Sequence, residues 1–213
     1  METCYKCNRH SCTREHVPPK SFFPENKRNN LITVPSCEKH NLDNSPDVEY
    51  VRNILTCFLQ ANHEGIKLGV TKTYRSFKRS QKLLHSTFRS SSPIKINNDN
   101  SAIVQYDIIR FDNIMKSIAD AIYFHENKHR NNSDWKVFNC SAFDISEFRD
   151  KETHDSLNLI RRASQSIEFE EVITSNPEIF KYYKKQETTK LCYKFMFYGG
   201  IEIILKILLL HIK

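Results

Sequence analysis

Residues 29–41 read NNLITVPSCEKHN, and residues 4–7 read CYKC. Cys37 and His40 end the first stretch, and Cys4 and Cys7 bound the second. Two pairs of soft ligands, each spaced by two residues, suit a tetrahedral zinc ion. The chain around them is poor in apolar residues and cannot build a core of its own. A bound metal is therefore expected to hold it together. Cys12 and His10 lie nearby but fall outside the paired spacing. Between the pairs, NLITV (30–34) has β-branched character and predicts a short strand. The rest of residues 1–43 shows no helical period. Within it, residues 13–24 read TREHVPPKSFFP, an acid and a histidine set before two prolines.

Taken in order along the chain, CYKC, REHVPPK, NNLITVPSC and CEKHN resemble HNH endonucleases of the zinc-knuckle type. The resemblance covers roughly the first 50 residues. It implies a ββα-metal fold, in which a two-stranded hairpin and a helix clasp one divalent cation. Residue by residue, it implies His16 as the general base that activates water and Glu15 as a ligand of the catalytic cation. Asn30 would brace the hairpin loop, and Asn41 would be the second ligand of that cation. Cys4, Cys7, Cys37 and His40 would hold a separate, structural zinc. These residue types suit the chemistry. Phosphodiester hydrolysis needs a deprotonated water and a cation to neutralise developing charge. An imidazole accepts a proton near neutrality. A carboxylate and an amide oxygen are hard ligands, matched to Mg²⁺ or Mn²⁺. Three residues depart from the family pattern. His40 replaces the usual cysteine, Asn41 replaces histidine and favours magnesium, and Asn44 stands where lysine or histidine often occurs. Pro18 and Pro19 are expected to stiffen the presenting loop, with Phe22 and Phe23 as its apolar anchor.

The 213 residues, 39% hydrophobic and 27% charged, fit a globular protein. Net charge is +7 and the isoelectric point about 9.0, which favours a polyanionic partner. The charge is unevenly placed. From Gly65 to Asn98 there is no acid, while Lys67, Lys72, Arg75, Lys78, Arg79, Lys82, Arg89 and Lys95 interleave with Tyr74, Phe77 and Phe88. Lys72, Arg75, Lys78, Arg79 and Lys82, together with Lys20, Lys27 and Arg28, are the expected contacts to a DNA backbone. Such contacts give affinity and little sequence specificity. Seven cysteines with no leader before Cys4 point to a reducing, cytoplasmic compartment. Cys57, Cys140 and Cys192 sit in apolar patterns and read as core residues. The C-terminal run GGIEIILKILLLHIK is shorter than the about 20 residues a bilayer crossing needs, so no membrane partner is expected.

The periodicities predict helices over 46–61, 71–88, 111–128 and 153–165. A strand is expected over 134–138, loops or turns at 90–93 and 97–101, and a C-terminal β-hairpin turning at Gly199-Gly200. The fold class expected is α+β: a zinc-stapled ββα nuclease module (1–61) followed by a mixed helix and antiparallel-strand domain (62–213). HENKH (125–129) matches the HExxH of zinc proteases literally, but polar residues fill its middle and NNS follows at once. The surrounding IADAIYFHENKHRNNSDWKVF is similar to an accessory domain of a group of bacterial HNH proteins. The resemblance implies DNA as substrate and a phage-defence or restriction setting, with a regulatory partner such as an ATPase subunit. The reading from a different class is a non-catalytic, zinc-finger-like DNA-binding or complex-assembly protein.

Overall fold

A computed structural model describes residues 2–41, 45–89, 91–96, 98–141, 162 and 167–208. The expected helix over 153–165, Arg162 excepted, and Asn44 lie outside the described residues.

The N-terminal stretch forms an antiparallel hairpin of β1 (Thr13–Val17) and β2 (Ile32–Ser36), with Glu15 opposite Val34 and His16 opposite Thr33. α1 (Pro46–Leu55) follows. Its start is the one the sequence predicts: the Ser45 side chain accepts a hydrogen bond from Asp47 N–H, and Pro46 opens the first turn. The helix stops at Leu55 rather than running to 61, and residues 56–60 turn instead. Cys57 is therefore exposed, not a core residue, whereas Cys140 is buried and Cys192 half-buried.

The basic stretch is not one helix. It is α2 (His63–Leu68), a π-helical turn (Gly69–Thr73), α3 (Tyr74–Arg79) and α4 (Gln81–Phe88). The break between α3 and α4 falls at Ser80, whose hydroxyl caps α4 by accepting from Leu83 N–H. Phe77 and Phe88 pack edge to face, centroids 5.4 Å apart, so these two rings hold α3 and α4 together. β3 (Ser91–Ile96) and β4 (Asp99–Val104) then pair as a separate two-stranded hairpin, where loops were expected. Ser, Pro and Asn mask the alternation there.

The remaining layer is α5 (Ile108–Asn127) against a five-stranded antiparallel sheet ordered β5-β9-β8-β7-β6. Its strands are β5 (Lys136–Asn139), β6 (Glu170–Val172), β7 (Phe180–Glu187), β8 (Lys190–Phe197) and β9 (Ile201–Leu208). Leu191, Tyr193, Phe195 and Phe197 alternate inward along β8, as Ile201, Ile203, Leu205 and Ile207 do along β9. α5 answers with Phe111, Ile114, Met115, Ile118 and Ile122 at helical spacing. The expected C-terminal hairpin is present. It turns through Tyr198 and Gly199 at positive φ, and Gly200 passes so close to Gln60 that a Cβ would lie 2.4 Å from its carbonyl oxygen.

One apolar cluster runs from Cys4 to Ile207, across residue 61. Phe22 packs edge to face on Phe197, centroids 5.9 Å apart, and the Tyr198 hydroxyl donates to Phe22 O at 2.9 Å. Phe22 and Phe23 are both buried, as an anchor for their loop should be.

Candidate metal centre and the hairpin beside it

Cys4, Cys7, Cys37 and His40 converge, with their ligand atoms all within 4.8 Å of one another. Local folding explains the convergence. The first pair sits in a tight turn closed by Cys4 N–H to Arg9 O at 2.9 Å. The second sits in a single 3-10 turn (Glu38–His40) just past β2, closed by His40 N–H and Asn41 N–H to Cys37 O, both at 3.0 Å. Tyr5 N–H donates to Pro35 O at 2.8 Å and ties the first turn to β2.

Cys7 Sγ lies 3.8 Å from Cys37 Sγ. The His40 Nδ1 atom lies 3.6 Å from Cys4 Sγ and 3.5 Å from Cys37 Sγ. A tetrahedral ion bound at about 2.3 Å by sulphur and about 2.0 Å by nitrogen has S···S edges near 3.8 Å and S···N edges near 3.5 Å. These three separations match the edges of such a tetrahedron, and the remaining ligand atoms lie within 4.8 Å. Their protonation is compatible: burial, followed by the charges of Lys6, Lys39 and Arg9, lowers the His40 pKa and keeps the imidazole neutral. Burial opposes a Cys37 thiolate, but the His40 backbone N–H and contacts with Cys4 and Cys7 outweigh it and lower its pKa. All seven cysteines are free thiols. Cys12 and His10, the nearby competitors, are exposed and outside the cluster.

The other expected site residues lie along the hairpin. Adjacent residues of a strand face opposite sides, and β1 obeys this: Glu15 is 1% exposed, while His16 on the other face is half-buried. Asn41 follows the metal-binding turn, at the end of the hairpin where Thr13 pairs with Ser36. Asn30 leads into β2 in the left-handed region, φ 55°, and its carbonyl accepts a hydrogen bond from the Ser175 hydroxyl at 2.5 Å.

Sequence reasoning missed the surroundings of Glu15. Tyr5, inside the CYKC turn, is 1% exposed. Burial, then the charges of Glu15, Asp120, Cys4 and Cys37, hold its pKa well above the ordinary value. Tyr5 therefore keeps a neutral hydroxyl. Asp120 comes from α5, a hundred residues away in the chain, and accepts from Trp135 Nε1 at 2.8 Å. No local pattern announces such a contact.

The expected DNA contacts divide in two. Lys20, Arg75, Lys78 and Lys82 are exposed. Lys27 is drawn to Glu178 at 2.9 Å, Arg79 to Glu49 at 2.7 Å, and Arg28 Nε donates to Phe23 O at 3.2 Å. Lys72 is half-buried. Burial, then the charges of Arg28 and Arg52, lower its pKa to about 8.

The HExxH-like stretch does not form a ligand pair. α5 ends at Asn127, Lys128 caps it at φ 61°, and His129 lies beyond the helix with Nδ1 beside Arg130 O. Glu126 is engaged elsewhere: it accepts from the hydroxyls of Tyr182 at 3.0 Å and Tyr193 at 2.8 Å, and from Lys184 Nζ at 2.9 Å. It fastens the end of α5 to β7 and β8.

Among the described residues no helix is long and apolar enough to cross a membrane. Comparison of the chain with models of known families, with curated proteins and with solved structures finds no match.

Proposed function

We propose that this protein is a metal-dependent HNH-type endonuclease acting on DNA, with zinc in the Cys4–Cys7–Cys37–His40 centre. The observation that carries this reading is the order of parts: a four-ligand centre joins the open end of a β1–β2 hairpin that bears Glu15 and His16, and a capped helix follows. Three cysteines and a histidine whose ligand atoms lie within 4.8 Å of one another are a donor set typical of structural zinc. In this reading His16 takes the proton from the attacking water. Glu15 and Asn41 hold a magnesium or manganese ion, which supplies charge neutralisation at the phosphate. The zinc centre fixes the end of the hairpin that carries Asn41 relative to β1. Lys20, Arg75, Lys78 and Lys82 supply exposed positive charge for the phosphate backbone.

The deep burial of Glu15 favours one competing reading, a zinc-stapled DNA-binding or assembly module in which this carboxylate is structural. A single assay separates the two. Supercoiled plasmid is incubated with the protein in Mg²⁺ or Mn²⁺, alongside His16→Ala. The nuclease reading predicts nicking by the parent and loss of at least about a hundredfold in His16→Ala, with zinc content and melting temperature unchanged. Equal cleavage by the two proteins, or none by either with both metals, removes the nuclease assignment.

A further inference from the structure

The stretch 63–79 hides one side and presents another. Gly65, Leu68, Thr73 and Ser76 face inward, and Thr73 Oγ1 sits 2.8 Å from Thr56 Oγ1 at the end of α1. On the outer side stand Ile66, Val70 and Tyr74, exposed by 54%, 67% and 62%. They recur every four residues and form a ridge along the axis. The π-helical turn Gly69–Thr73, closed by Tyr74 N–H to Gly69 O, lies in the middle of that ridge. Such turns interrupt helices frequently at functional sites. Beside the ridge runs a second line of exposed residues, Lys67, Thr71, Arg75 and Lys78. No acid occurs anywhere from Gly65 to Asn98.

We propose that this ridge is a docking surface for an acidic amphipathic helix of a partner protein. Chemistry selects that occupant over the others. Ile66 and Val70 offer a phosphate backbone no hydrogen bond and a base no aromatic face to stack on. A second copy of the ridge would set lysine against lysine. An acidic helix with an apolar stripe satisfies both lines at once, its leucines on Ile66, Val70 and Tyr74 and its carboxylates beside Lys67, Arg75 and Lys78. Tyr74 lies within the apolar line and is the residue type that most often dominates such contacts. The surface lies apart from Glu15 and His16 in the sequence and does not depend on the nuclease reading, but it shares Arg75 and Lys78 with the proposed DNA contacts, so helix and DNA would compete there.

The test uses the full chain and three labelled synthetic helical peptides, read by fluorescence anisotropy. One carries a leucine stripe with glutamates, one the same stripe with lysines, and one the glutamates with serine in place of leucine. The leucine–glutamate peptide is expected to bind at least about tenfold more tightly than the other two. Val70→Ser/Tyr74→Ser should remove that advantage while leaving the melting temperature unchanged, because both side chains are exposed. Ile66→Ser, read separately, should weaken binding in the same direction. Equal binding of the three peptides, or full binding by both variants, overturns the proposal. So does loss of affinity for a DNA duplex in these charge-neutral variants, which would assign the ridge to nucleic acid. A dimer in light scattering that the variants dissolve would assign it to a second copy and overturn the proposal as well.

Discussion

Residues 2–41 and the α5–sheet layer reach order by different means. The first has two short strands, three single 3-10 turns and a four-ligand centre. Its few large buried side chains, among them Tyr5, Val17, Phe22, Phe23 and Val34, belong to a cluster shared with the rest of the chain. The second fills its own interior with alternating aromatic and branched residues. In one region position is set by four side chains, and in the other by apolar area. The first should therefore respond steeply to one ligand and the second to one lost volume. The largest expected effect follows. With zinc held as proposed, its chelation, or Cys37→Ser, should release residues 2–41 from slow amide exchange while β7, β8 and β9 keep theirs. Hydrogen exchange measured by mass spectrometry separates the two segments. Loss of protection across the sheet at the same rate would break the contrast and make the shared cluster the controlling element.

The sheet should fail by a different route. Phe195 is fully buried, with ring centroids of Phe180 at 5.6 Å and Tyr193 at 6.1 Å. Phe195→Ala should cost about 3–5 kcal/mol of unfolding free energy through lost contacts and a cavity. The metal centre should keep its affinity wherever the chain stays folded. Urea unfolding followed by circular dichroism gives the first quantity, and competition with a chromogenic chelator gives the second. A cost under about 1 kcal/mol would mean that the cluster repacks and that apolar volume does not control this layer.

How much of this was legible in the sequence differs between the same two regions. The ligand pairs were readable because coordination depends on residue type and spacing, and both survive in the one-letter string. β8 and β9 were readable for an equivalent reason: LCYKFMFY and IEIILKIL carry period-two burial on their faces. α5 was expected over 111–128 and lies at Ile108–Asn127, its stripe intact. β3 and β4 escaped because they form an isolated hairpin with mostly exposed side chains, so serine, proline and asparagine outweighed any pattern. β7 escaped because FKYYKKQE mixes lysines into its outer face. The basic stretch read as one helix because its charges are continuous, whereas Ser80 breaks it by capping. The company of Glu15 was illegible in principle. Tyr5 lies beside it in a turn, Asp120 acts on the same Tyr5 from a distant helix, and burial, not spacing, brought them together.

The contact of α1 with α3, outside both regions, is of a third and electrostatic kind. Glu49 on α1 accepts from Ser76 Oγ and Arg79 Nη2, each at 2.7 Å, with Arg52 Nη2 at 3.6 Å. Burial alone would raise its pKa, but the Ser76 hydrogen bond and the charges of Arg79 and Arg52 outweigh burial and lower it. The unfolded carboxyl titrates near about 4.3. Stability from this group is therefore complete above that pH and is lost as the pH falls through the lower folded value. The carboxylate is partly solvated, so the gain at neutral pH should be under about 1 kcal/mol. Glu49→Gln keeps the side-chain shape and removes the titration. In urea unfolding the parent should exceed the variant at pH 7, and the difference should shrink once the pH falls below the folded value. A difference of the same size at both ends of that range would assign the effect to lost packing between α1 and α3, leaving charge no part in joining the two helices.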